Sequence, residues 1–239
     1  MSQVSTNQPL GTPTWIELAV PDLPAAQAFY AAVFGWDFDG DVCLLRGLPV
    51  AGLRAGENTG WTVHFATDDC DGTAKRMVAA GGTVHTEPHE ADGRRAALVT
   101  DPAGLRIGLW QGRTAPGCQL VNEPNTLVRN DLVTARPGVV RDFYATVFDF
   151  TLDGNDDLPD MDFTFLRRPD GHEVGGIIGV PEFPAPAWVT TFEVPDTDAT
   201  VARVREAGGT ATEPEDTIYT RSSTITDPFG AEFSVGARP

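Results

Sequence analysis

Lysine is almost missing from this chain. Lys75 is the single one among 17 basic residues, the others being arginines, and 34 acidic residues leave a formal net charge of −17. A Schiff-base mechanism needs a lysine amine. Only Lys75 could supply it, and it falls on the polar side of its expected helix. A surface this acidic repels phosphate backbones and anionic lipid, so neither nucleic acid nor a membrane surface is an expected partner. Cysteine is scarce: Cys43, Cys70 and Cys118 are an odd set without zinc-ribbon spacing, which reads as reduced thiols. Cys43 has no histidine partner in sequence and reads as a small buried hydrophobe. No apolar run approaches the roughly 18 residues of a membrane span. Residues 1–10 carry neither a basic nor an apolar leader region. The chain also lacks G-x-G-x-x-G, a Walker loop and G-x-S-x-G, so no cofactor is expected. The reading is a cytoplasmic globular protein, and arginine in place of lysine together with abundant Ala, Gly, Val and Pro points to a GC-rich bacterial genome.

What is present is a repeat. Trp15–Asp22 followed by Phe29-Tyr30 and Phe34-Gly35-Trp36 matches Arg129–Arg136 followed by Phe143-Tyr144 and Phe148-Asp149-Phe150. Ala80-Gly81-Gly82 recurs as Ala207-Gly208-Gly209, and Asp101-Pro102-Ala103-Gly104 as Asp227-Pro228-Phe229-Gly230. The offset is 114 residues at Tyr30/Tyr144 and 127 at Trp61/Trp188. The second half therefore carries about 13 extra residues, with turns expected at Asp153–Asp160 and Arg168–Gly171. Domains are expected over 11–112 and 125–237, joined by a Gly/Pro/Asn-rich linker over 113–124. Within each half the pattern divides again. Strands are expected at Thr14–Val20, Val42–Leu53, Trp61–Ala66, Thr83–Thr86, Arg95–Thr100 and Leu105–Trp110. Helices are expected at Leu23–Phe34, where apolar residues recur at three- and four-residue steps, and at Asp71–Ala80. The result is an α+β chain of four βαβββ modules.

These paired motifs resemble the vicinal oxygen chelate superfamily, which includes glyoxalase I, bleomycin- and fosfomycin-resistance proteins and extradiol dioxygenases. The resemblance covers nearly the whole chain and is nearest to the tandem-domain, glyoxalase-like bacterial members. It implies two tandem domains whose mixed sheets curl into cups that hold the sites. It also implies a divalent metal held by His, Gln or Glu. The positions that match those ligands are Trp15, Thr62 and Gly108 in one half and Arg129, Val189 and Ser234 in the other. None of these is a good metal ligand, and an arginine opposes a cation, so no metal is expected there.

Strand alternation sorts the remaining residues. Ile16, Leu18, Val20, Trp61, Val63, Phe65, Ile107 and Leu109 should pack under the helices. Trp15, Glu17, Thr62, His64, Arg106, Gly108 and Trp110 should face one cup, and Arg129, Asp131, Thr191, Glu232 and Ser234 the other. Members of the family differ in whether the first strand is exchanged between halves. Either way His64 and Arg106 share a cup with one carboxylate, Glu17 or Asp131. A carboxylate beside His64 would fix its tautomer and raise its basicity, and Arg106 would hold an oxyanion. Trp15, Thr62, Trp110, Arg129, Thr191 and Glu232 are the expected substrate-binding residues, the tryptophans giving a flat apolar wall. The plainer alternatives are a hydrogen-bonded structural histidine and a structural Glu17–Arg106 ion pair. Trp36, Trp61, Trp188, Tyr30 and Tyr144 read as core.

His85 and His89 have ligand spacing only on a helix, which Pro88 opposes. His172 reads as a solvated turn residue that could rim a cup. The expected activity is metal-independent acid–base chemistry, an aldol-type cyclisation, isomerisation or dehydration, on a small aromatic or polyketide-like metabolite. One alternative is a resistance protein that binds a drug or metabolite without turnover. The other is a metal-dependent glyoxalase-like lyase or dioxygenase. The expected partner is a small aromatic ligand, and a monomer is expected because tandem halves can stand in for a family dimer.

Overall fold

The computed structural model describes residues 3–57, 60–154 and 156–238. Met1 and Ser2 of the N-terminal segment, and Asn155 in the turn expected over Asp153–Asp160, lie outside the described residues. The first half runs β1 (Pro13–Val20), α1 (Leu23–Phe34), β2 (Asp37–Asp39), β3 (Val42–Leu45), β4 (Leu48–Ala55), β5 (Thr62–Ala66), α2 (Cys70–Ala79), β6 (Thr83–Ala91), β7 (Arg94–Thr100) and β8 (Arg106–Gly112). The second runs β9 (Leu127–Thr134), α3 (Pro137–Phe148), β10 (Thr151–Gly154), β11 (Phe163–Arg167), β12 (Glu173–Gly179), β13 (Ala187–Glu193), α4 (Thr197–Glu206), β14 (Thr210–Ala211), β15 (Glu215–Asp216), β16 (Arg221–Thr226) and β17 (Glu232–Ala237). No helix among the described residues is long and apolar enough to cross a membrane.

Local chemistry sets the helix ends. Asp22 accepts a hydrogen bond from the Ala25 amide and starts α1, and Asp69 and Asp196 cap α2 and α4 in the same way. Gly35, at φ 71°, closes α1 with its amide on the Ala31 carbonyl. Arg136, the counterpart of Asp22, makes no side-chain cap. It donates instead to the Pro102 carbonyl of the first half. The strand expected to end at Thr86 runs on to Ala91 through Pro88. This is tolerated because β6 is the edge of its sheet, where a missing amide breaks no ladder.

Each half folds its own mixed sheet. The strand orders are β2-β3-β4-β1-β5-β8-β7-β6 and β10-β11-β12-β9-β13-β17-β16-β14, with β15 also on β16. β1 pairs with β4 and β5, and β9 with β12 and β13. No first strand is exchanged, so Glu17 and not Asp131 lies in the sheet of His64.

The helical faces of the sheets meet across a shared core. Phe34 of α1 packs on Phe192 and Phe233 of the second half, and Phe148 of α3 packs on Phe65 of the first. The repeated motifs interlock here. The Tyr30 hydroxyl donates to Asp227 at 3.0 Å, and Tyr144 donates to Asp101 at 3.2 Å. Both aspartates also accept backbone amides of their own turns, from Ala103 and Leu105 and from Phe229 and Ala231. Phe29 lies against Gly209 and Phe143 against Gly82, where an added β-carbon would come within 3.0 and 3.2 Å of the rings. Arg76 and Arg203 complete the symmetry by donating to the Val147 and Val33 carbonyls near the ends of α3 and α1.

Candidate functional site

The concave faces of the two sheets carry unlike chemistry. In the first cup His64 stands on β5, opposite Trp15 on β1 and Gly108 on β8. The Trp15 and Trp110 rings lie 5.2 Å apart at 31°, and His64 meets Trp110 edge-on at 5.9 Å. All three are buried, with exposures of 6% for Trp15, 3% for Trp110 and 7% for His64. The expected flat wall is therefore a packed floor, a correction to the open aromatic lining read from the sequence. Gly108 makes the packing possible, because a β-carbon there would collide with Nδ1 of His64. Gly52 plays the same part beneath Trp15, at 3.0 Å.

Neither ring nitrogen of His64 has a hydrogen-bond partner among the described residues. The expected carboxylate is present, since Glu17 sits opposite Thr62, diagonal to His64 on the same face. However, Glu17 accepts instead from Nε of Arg54 at 2.6 Å. Its ion-pair partner is thus Arg54 and not Arg106, and it does not orient the imidazole. Burial pushes the His64 pKa down to about 4, Glu17 raises it less, and Arg94 and Arg54 lower it further. The expected gain in basicity is reversed, and the ring is neutral at pH 7.

Arg106 begins β8 opposite Thr100 and is exposed. It is two residues from Gly108, at the rim of the cup. The arginines that act on His64 are Arg54 and Arg94, both of which sequence reasoning passed over. Arg94 lies with its guanidinium carbon 4.2 Å from the Trp110 ring centre. Its Nε is buried and unpartnered among the described residues. The strand was expected to begin at Arg95, one residue too late. Extending the alternation by one position would have turned Arg94 inward.

The second cup is ionic. Arg129 donates to Asp131 at 2.6 Å and to Glu173 at 2.5 Å. Arg167 donates to Asp153 at 2.5 Å, with Glu173 at 3.5 Å. The Phe163 and Phe165 rings flank Arg129 at 5.8 and 5.7 Å. Burial raises the Asp131 pKa, with Arg129 opposing. Thr191 stands between Arg129 and Ser234 across the sheet, and Glu232 is exposed opposite Thr226. The structure thus separates the expected catalytic set, with His64, Glu17 and Arg106 in one sheet and Asp131 in the other.

The metal implied by the resemblance does not fit either cup. Trp15 is packed at a tilt against Trp110, Gly108 has no side chain and the space above it holds His64, and the Arg129 guanidinium is fastened to two carboxylates. No group of three His, Cys, Asp or Glu side chains among the described residues could hold an ion. His85, Glu87 and His89 point out along β6, and Glu90 is engaged by Arg113 and Arg95. His172 lines a cleft of about 280 Å³ with Gln8, Thr12, Arg129, Arg168 and Glu173. All three cysteines are buried and free.

Comparison with known proteins agrees with the geometry of the fold. The glyoxalase-like domain family matches residues 15–109, and the Glyoxalase/Bleomycin resistance protein/Dioxygenase superfamily matches 126–235. The Mycobacterium tuberculosis protein CFP32, which carries the name of a glyoxylase, is 34% identical over 94% of each chain. The anthracycline biosynthesis protein DnrV of Streptomyces peucetius is 32% identical over 94% of this chain and 92% of its own. Among solved structures, the Mn(II)-bound glyoxalase from Novosphingobium aromaticivorans superposes with a TM-score of 0.69 at 20% identity, covering 99% of this chain and 83% of the other. The 2,3-dioxygenase LapB from Pseudomonas sp. KL28 gives 0.66 at 17%, covering 99% and 95%. At these identities the two structures speak for the fold alone. Two matched domains and full-length relatives above 30% identity place the chain in the glyoxalase/bleomycin resistance protein/dioxygenase superfamily, as two vicinal oxygen chelate domains in tandem.

Proposed function

We propose that this chain carries out metal-independent acid–base chemistry on a small aromatic, polyketide-like metabolite in its first cup. The observation that carries the reading is His64, a buried, neutral imidazole whose two nitrogens have no partner among the described residues. A neutral imidazole offers one acceptor and one donor, so it can take a proton from the carbon beside a carbonyl and return one later. Trp15 and Trp110 give the floor an aromatic character that suits a flat ligand. The substrate class draws support from the anthracycline biosynthesis proteins DnrV and DauV, at 32% and 31% identity. The reaction class that follows is an aldol-type cyclisation, isomerisation or dehydration. Metal independence draws support from the donor set, since the residues at the positions matching the family's ligands are poor donors for an ion.

The test is turnover of a panel of aromatic polyketide ketones by the full chain, with and without a chelator, beside His64→Gln. Wild-type turnover that survives the chelator and falls at least 100-fold in the variant is the expected result. Activity lost to the chelator and restored by a metal would overturn the metal-independent reading. Tight binding without any product would instead assign a sequestering protein.

A further inference from the structure

We infer that the first cup is built for an aromatic oxyanion, a carboxylate or phenolate on a flat ring, and that Arg94 is the residue that selects it. This rests on the reading of the first cup as the reacting one. Three buried polar atoms gather around a single indole. Nδ1 and Nε2 of His64 and Nε of Arg94 all lack a partner among the described residues. Their side chains meet Trp110 at 5.9 and 4.2 Å. Native interiors leave few polar groups unsatisfied, and each such group calls for an explanation. Three on one ring mark a place that a group from outside the chain completes.

The donor and acceptor inventory says what that group is. A guanidinium only donates, and a neutral imidazole donates once and accepts once. A ligand oxyanion uses both donors and leaves the accepting nitrogen of His64 for the proton that moves in the reaction. Charge points the same way. Arg54 is fastened to Glu17 at 2.6 Å. The ion-pair partner of Arg94 is Asp92, 4.0 Å away with a side chain 94% exposed. Of the two guanidiniums that act on His64, Arg94 is thus the less neutralised, and its side chain is 21% exposed. An anion meeting it there makes charge-assisted bonds, which are roughly twice as strong as neutral ones.

The probes are anthraquinone-2-carboxylate and the neutral anthraquinone-2-carboxamide, titrated calorimetrically into the full chain. Wild type is expected to bind the carboxylate at least tenfold more tightly, Arg94→Gln to lose that preference, and Arg94→Lys to keep part of it. Near-UV circular dichroism checks that each variant is folded, and if Arg94→Gln is not, Arg94→Lys and Arg94→Met decide. Equal binding of the two probes by wild type, no binding of the carboxylate, or a preference that survives the loss of the guanidinium overturns the assignment. The catalytic reading is scored separately by His64→Gln turnover. Full activity in that variant with the carboxylate preference intact removes the acid–base role and leaves the anion site standing.

Discussion

At the scale of single residues, His64 shows how burial outweighs a neighbouring charge. Glu17 lies diagonally across two strands, yet its oxygen belongs to Arg54, and the cost of charging a buried ring prevails. The sign of the pH effect follows. The unfolded histidine titrates near 6.5 and the folded one at about 4, so between those values the unfolded state binds more protons. Stability is therefore lost as pH falls from about 6.5 to 4, by about 3 kcal/mol from this group. Urea unfolding of wild type and His64→Gln across that range should show a steeper acid loss in wild type, and the imidazole NMR titration should fall near pH 4. A ring that titrates near 6.5 would show that water reaches it freely. Much of this residue was legible from the sequence, since alternation alone turns it toward the cup. Its surroundings were not. The Arg54–Glu17 contact depends on the parallel register of β1 and β4, which no local pattern encodes. Arg94 was hidden by a strand start misplaced by one residue.

At the scale of elements, the repeat and the periodicities read well because they are local. α1 carries its cap, its apolar stripe and its closing glycine within a dozen or so residues. The extension of β6 did not read, because whether Pro88 ends a strand depends on that strand being an edge. The fate of the cups did not read either. The tryptophans of the first could line a cavity or fill it, and the decision rests on glycines on neighbouring strands. Gly108 on β8 is the clearest case. Gly108→Ala should drive His64 out of its place, with an overpacking loss of roughly 1–3 kcal/mol. A thermal melt and a crystal structure of the variant would check this. Unchanged stability with the imidazole in place would mean that β8 yields more easily than its pairing on both sides implies.

At the scale of the whole molecule, the two halves are joined by their own repeated motifs. The Phe-Tyr pair of each half is completed by the Gly-Gly and Asp-Pro turns of the other. The sequence displays both motifs twice and says nothing about which copy meets which, because the partners lie 197 and 43 residues apart. Tyr30→Phe removes a hydroxyl from buried Asp227 and should cost about 1–3 kcal/mol. The loss should appear in one cooperative unfolding transition reported alike by the tryptophans of both halves. Two separate transitions would mean that the halves are thermodynamically independent.

That crossed seam bears on how such a chain can evolve. After a duplication, either cup may exchange its residues without consulting its twin, as an aromatic floor around His64 and an ionic one around Arg129 illustrate. The convex motifs have no such liberty, since each copy is the other's binding partner. Inherited change is channelled outward, onto the concave faces, while the seam stays under joint custody. Exchanging whole second halves between members that retain both motifs should accordingly yield folded hybrids whose cups come from different parents.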